Sequence, residues 1–274
     1  MAASSPISEG SVMSVISRRT VASLIACVAL AGCTQEPATP GAPASSSAAA
    51  PAAAVPAASE ADEQARRDVY LHSTQTLAFM GVTPDKHVLD VEPQSPWLVR
   101  ALGGNANYAA VVPMAASDFL AANKNVTGWS AANVRSFSPV DPVLGEPASV
   151  DVVISVDDVG GWFRDKRIEG MFKAMHAVLK PGGTLGVIAP RATAPMAESD
   201  TSGYLAEKQV VFYAELAGFQ LAQWSEMNAN KRDTRDYPNG AASLPPTLKG
   251  GDNDRARFEA IGEPDRMTLK FIKK

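Results

Sequence analysis

Cysteine is almost missing from this chain. Of 274 residues only Cys27 and Cys33 carry thiols, and both precede Thr34. Everything after that point can form neither a disulfide nor a cysteine nucleophile, so its stability must come from a core. Histidine is nearly as scarce. His72, His87 and His176 stand far apart with no spaced ligand partner, which leaves no metal-binding pattern. Excess positive charge is missing as well: past residue 32 there are 23 basic against 28 acidic residues, a net charge of −5, which argues against nucleic acid as a partner. A membrane-spanning run is also lacking, because the apolar stretch around Val21 to Leu30 is about a dozen residues where roughly 20 are needed.

That stretch has another use. Arg18-Arg19, the apolar run and then Ala31-Gly32-Cys33 have the order of an export signal removed at residue 32. Leu30-Ala31-Gly32-Cys33 resembles the lipobox of bacterial lipoproteins, which implies a lipid on Cys33, a membrane anchor through that lipid and a periplasmic location in the cell envelope. Thr34 stands where inner-membrane retention often has an aspartate, which points toward the outer membrane. From Thr34 to Ser59 the chain is nearly all Ala, Pro and Ser, too poor in bulky apolar groups to offset the entropy of ordering. With Cys33 it forms a tether, spanning roughly 28 Å as a flexible coil and about 80 Å if extended.

From residue 60 to residue 274 strand-like and helix-like segments alternate, the pattern of a doubly wound α/β domain with a mostly parallel sheet. The expected strands are Val88–Val91, Tyr108–Val112, Val134–Phe137, Val150–Val156, Thr184–Ala189, Phe219–Met227 and Met267–Ile272. Val150–Val156 is apolar on both faces apart from Asp151 and Ser155, as a central strand requires. Ile168, Met171, Phe172, Met175, Val178 and Leu179 follow helical spacing, stopped by Pro181-Gly182-Gly183. A second helix is marked by Leu205, Phe212 and Leu216, and an earlier one covers roughly Ala61 to Met80 and closes at Gly81. The segment 228–264 is long for a connection and reads as a folded lid.

Glycine is missing where it is most expected. Val88-Leu89-Asp90-Val91-Glu92-Pro93-Gln94-Ser95-Pro96-Trp97 has the outline of a nucleotide-cofactor strand, turn and helix, yet Glu92, Gln94 and Pro96 occupy the places where positive φ and close backbone approach call for glycine. This loop, Leu179-Lys180-Pro181-Gly182-Gly183-Thr184-Leu185 and a closing hairpin together resemble class I S-adenosylmethionine-dependent methyltransferases. Thr76–Val82, Leu244-Pro245-Pro246-Thr247 and Ile261–Phe271 narrow the resemblance to predicted exported bacterial methyltransferases, over residues 65 to 274. It implies a seven-stranded sheet with its last strand antiparallel, and a ligand site at the carboxyl ends of the first, second and fourth strands.

Mapped residue by residue, the resemblance makes Asp90, Glu92, Gln94, Trp97 and Trp162 the lining of a degenerate cofactor site. A carboxylate would stand at Glu92 where the cofactor's own carboxylate belongs, and Val112-Pro113-Met114 stands where an acid would hold the ribose. Asp157 and Asp158 are the catalytic candidates, able to orient an acceptor or take its proton, or simply to cap a turn in solvent. Trp97 and Trp162 flank the crevice as stacking surfaces or belong to the core. Glu226, Asn228, Asn230 and Arg266 line the lid side, with Arg266 able to clamp a carboxylate or to serve in a salt bridge. The expectation is an envelope lipoprotein whose methyltransferase-like domain binds a small molecule or an envelope protein without the usual cofactor. The alternatives are an active enzyme using S-adenosylmethionine on an unknown acceptor, and a purely structural lipoprotein.

Overall fold

The computed structural model describes residues 59–102, 104–251 and 253–274. The export signal, Cys33 and nearly all of the tether lie outside the described residues.

The helical stretch before the first strand is two helices, α1 (Glu60–Leu71) and α2 (Ser73–Met80), where one was expected. Ser59 opens α1 with a capping box, its hydroxyl accepting from Asp62 N while the Asp62 carboxylate accepts from Ser59 N. The break falls at His72, which adopts a left-handed conformation with φ of 44°. Nothing in the local sequence announces it, since left-handed backbone favours glycine or asparagine. Gly81 then closes α2 with φ of 76°.

The sheet strands are β1 (Val88–Val91), β2 (Tyr108–Val112), β3 (Val134–Ser136), β4 (Val150–Val156), β5 (Leu179–Ala192), the two-residue β6 (Leu205–Ala206), β7 (Phe219–Ser225) and β8 (Arg266–Lys273). Their order is β3-β2-β1-β4-β5-β8-β7, with β6 attached to β5 outside this seven-strand path. β1 pairs in parallel with β2 and β4, whereas β8 runs antiparallel to both β5 and β7. The expected architecture, mostly parallel with the last strand antiparallel, is what forms. β5 starts earlier than expected: Leu179 is already extended, and Pro181-Gly182-Gly183 lies inside the strand, with Gly182 at φ of 74° and a register shift against β4 between Val150 and Val152.

Alternation along the strands divides the core. Leu89, Val91, Val153, Leu185 and Val187 pack on one face with α5 (Val159–Arg164), α6 (Ile168–Val178) and α7 (Glu207–Leu216). Val88, Ala110, Val112, Val152 and Ile154 pack on the other with α2, α3 (Trp97–Ala101) and α4 (Ala116–Ala122). α6 buries the stripe expected of it. α7 does not: its inward residues are Val210 and Ala214, Leu205 belongs to β6, and Phe212 and Leu216 are exposed. Those two large apolar residues lie on the outer side of a helix whose inner side is satisfied by smaller groups.

Within residues 228–264 the chain forms a 3-10 turn at Gly240–Ser243 and α8 (Arg255–Ile261), around a cluster of Tyr237, Leu244 and Phe258. One close approach elsewhere can be tested directly. A Cβ on Gly160, in the first turn of α5, would stand 2.3 Å from the Gly203 carbonyl oxygen, so backbone must shift to admit it. Gly160→Ala is expected to cost about 1–3 kcal/mol of unfolding free energy, measured by urea denaturation; an unchanged midpoint would show that residue 203 yields freely.

Candidate functional site

The carboxyl ends of β1 and β4 hold Glu92, Gln94, Asp157 and Asp158, and a Gln94–Asp158 bond joins the two ends. Glu92, the first residue after β1, sits at φ of 49° without being a glycine. Its buried carboxylate receives Arg167 Nη1 at 2.9 Å and Nη2 at 3.4 Å, the guanidinium coming from the residue that opens α6. The Gln94 side-chain amide donates to the Glu92 carbonyl at 3.0 Å and to Asp158 Oδ1 at 3.1 Å. Ser155 Oγ donates to the other Asp158 oxygen at 2.9 Å. Burial pushes the Asp158 carboxyl well above the usual carboxylate range, and the neighbouring Glu92 and Asp90 charges add to the rise. The protonated form of Asp158 is thereby favoured over its ordinary balance.

Asp157 is built differently, although it is the adjacent residue. Its φ of 70° turns it toward Arg266, which donates from Nε at 2.7 Å and from Nη2 at 2.8 Å. Burial raises its carboxyl, but the charge and hydrogen bonds of Arg266 and the charge of Arg67 outweigh that and hold it below its ordinary value. Arg266 Nη1 and Arg67 Nη1 each reach Glu263 Oε2 at 2.8 Å. The Asp157-Asp158 pair does not cap a turn in solvent: Asp158 is buried and makes no side-chain cap to α5, and Asp157 is half-buried with its carboxylate bonded to Arg266. Arg266 does clamp carboxylates, and they are the protein's own.

Asp90 lies below this layer, on the α2-α3-α4 face of β1. It accepts from Tyr108 Oη at 2.9 Å, and Tyr108 Oη in turn accepts from Trp129 Nε1 at 2.9 Å. Burial among apolar groups pushes its carboxyl up to about 7. Trp97 and Trp162 do not flank one crevice. Trp97 packs on the Asp90 side of the sheet, its indole N–H bonded to Ser73 Oγ at 3.0 Å, and Trp162 packs on the opposite face; both are core.

The lid residues are ties. Glu226 takes two bonds of 2.7 Å from Arg191, which also holds Glu207 and Asp265. The Asn228 amide sits between His72 Nδ1, Thr76 and Thr268 at 2.9 to 3.2 Å. Asn230 donates to the carbonyls of Ile261 and Glu263. Asp233 accepts from Tyr204 Oη and from the Asp265 N–H, fixing the start of the segment to its end. Sequence reasoning missed Arg167, Arg67, Glu263, Arg191 and Asp265. Their partners stand up to 196 residues away, and no local pattern marks them.

Open space lies beside the sealed loop. A cleft of about 560 Å³ is lined by Pro113 after β2, by Pro139, Val140 and Pro142 after β3, and by Asp165, Lys166, Arg167 and Gly170. A second hollow, of about 410 Å³, lies at the amino ends of β1 and β2, around His87, Asn107 and Tyr108.

No family model matches the chain. No curated protein matches it in sequence. Solved structures do resemble it in fold. The (4+2)-cyclase SpnF matches 77% of this chain and 82% of its own at 15% identity, with a TM-score of 0.52. The cyclopropane synthase MmaA2 from Mycobacterium tuberculosis matches 74% and 83% at 14% identity, TM-score 0.49, and a SAM-dependent methyltransferase from Aquifex aeolicus 76% and 93% at 13%, TM-score 0.48. The strand order with its antiparallel β8, together with the likeness to SpnF, gives this chain the mixed α/β, Rossmann-like methyltransferase fold.

Proposed function

We propose that this chain is an envelope lipoprotein whose methyltransferase-like domain no longer takes S-adenosylmethionine and instead holds a small molecule or an envelope partner. The observation that carries the reading is the Glu92–Arg167 pair. In class I methyltransferases the loop after the first strand offers bare backbone to the amino-acid end of the donor, and here a buried carboxylate and its guanidinium fill that loop. Gln94 ties the loop to Asp158, so the acid at the end of β4 is also occupied. The residues present do not fit the donor. Support for the envelope location is the Leu30–Cys33 lipobox and the tether behind it. The fold itself does not fix a reaction, since the same scaffold hosts unrelated chemistries.

Calorimetric titration of the full chain with S-adenosylmethionine and S-adenosylhomocysteine tests this. No binding at micromolar concentrations is expected from the unaltered chain. The triple variant Glu92→Gly, Gln94→Gly, Pro96→Gly is expected to gain binding, because it relieves the positive φ at residue 92 and leaves the Arg167 guanidinium free for the ligand's carboxylate. Micromolar binding by the unaltered chain would overturn the proposal and restore an active enzyme as the reading.

A further inference from the structure

We propose that the cleft beside the sealed loop is a binding site for a small organic anion with a flat apolar body, its charge met by Lys166 and its body held by Pro113, Pro139, Val140 and Pro142. This rests on the reading above and specifies its small molecule.

Position is the first argument. The cleft opens at the carboxyl ends of β2 and β3, the end of an open α/β sheet at which ligands sit, and its 560 Å³ is within the roughly 300–1,000 Å³ of small-molecule sites. Its walls are the second. Three of the lining residues are prolines, which have no N–H, so an apolar body can cover them without stranding a backbone donor away from water. Val140 is 92% exposed, and Met114 and Val143 beside the prolines are at least half exposed, an apolar rim left open by the described residues.

Charge selects the ligand's sign. Three charged residues line the cleft, and two are held in bidentate pairs: Asp165 accepts from Arg164 Nε at 2.9 Å and Nη2 at 3.3 Å, and Arg167 is committed to Glu92. Among the described residues Lys166 meets Glu198 alone, at 3.5 Å, with their side chains 77% and 69% exposed, a contact that contributes little in water. Lys166 is thus the cation of the lining most weakly held by the protein's own carboxylates. Desolvation beside a bound apolar body would strengthen its attraction for an anion.

The test is calorimetric titration of the full chain with 2-naphthoate and with its uncharged analogue 2-naphthamide. One saturable site for naphthoate is expected, about tenfold weaker for the amide and about tenfold weaker in Lys166→Glu. Val140→Asp, which puts a like charge on the wall, should weaken it by a similar factor, whereas Lys173→Glu, outside the cleft, should leave it unchanged. All three positions are exposed or on the rim, and thermal unfolding of each variant checks that the fold persists. Naphthoate binding that is absent, or unaffected by both cleft variants, overturns the proposal while the reading of a sealed donor site stands. Displacement of naphthoate by micromolar S-adenosylhomocysteine would instead overturn that reading, and the proposal with it.

Discussion

Replacing Arg266 by Met should lower the unfolding free energy by about 3 kcal/mol, because it strips the buried Glu263 and the half-buried Asp157 carboxylates of the cation they share. Arg266 is 1% exposed and makes two bonds to Asp157 and one to Glu263. Arg67 does not replace it: it already serves Glu263 at 2.8 Å and approaches Asp157 only to 4.0 Å, and its Nε is buried without a partner among the described residues. The thermal midpoint should fall by roughly 10 °C for a domain of this size. Adding Asp157→Asn to Arg266→Met should recover part of the loss, since the second change removes a charge that the first left unmatched. A loss below about 1 kcal/mol, or strictly additive effects, would show that the cluster relaxes into solvent.

The second large effect depends on pH. The Asp90 carboxyl titrates near 7 in the fold and near 3.8 when free. A raised value in the folded state means that the fold favours the protonated form. Its contribution is complete below about pH 4 and is lost as pH climbs through 7. The span corresponds to a change on the order of 4 kcal/mol. Asp90→Asn has no proton to lose, so its stability relative to the parent should rise by that amount between pH 4 and pH 8, read from urea unfolding at both. Parallel pH profiles for the two proteins would mean that Tyr108 and the surrounding groups stabilise the ionised carboxylate after all.

Much of the fold was legible because its strands are apolar runs with clean limits. Val88–Val91, Tyr108–Val112 and Val150–Val156 form as expected, and each is buried through most of its length. What escaped was set by conformation or by distant partners. His72, Glu92 and Asp157 are all left-handed without being glycine, and such positions are held by tertiary bonds, with Asn228, Arg167 and Arg266 respectively. Phe212 and Leu216 looked like core because helical spacing reports a stripe without saying which side faces inward. In the site, the anomaly of a glycine-free loop was visible in sequence. That Glu92 is answered by Arg167 was not, because the two are 75 residues apart.

One topological feature bears on how the molecule is made. β8 is synthesised after every other strand of the sheet, yet it lies in the interior, between β5 and β7. Until it arrives, β5 presents an open edge and β7 has no neighbour in the sheet, so the order of synthesis cannot be the order of assembly. A nascent chain lacking residues 266–273 should stay loose and protease-sensitive however much of it has emerged. Under the proposed export of this chain, such a late keystone would postpone commitment until the crossing of the membrane is nearly over.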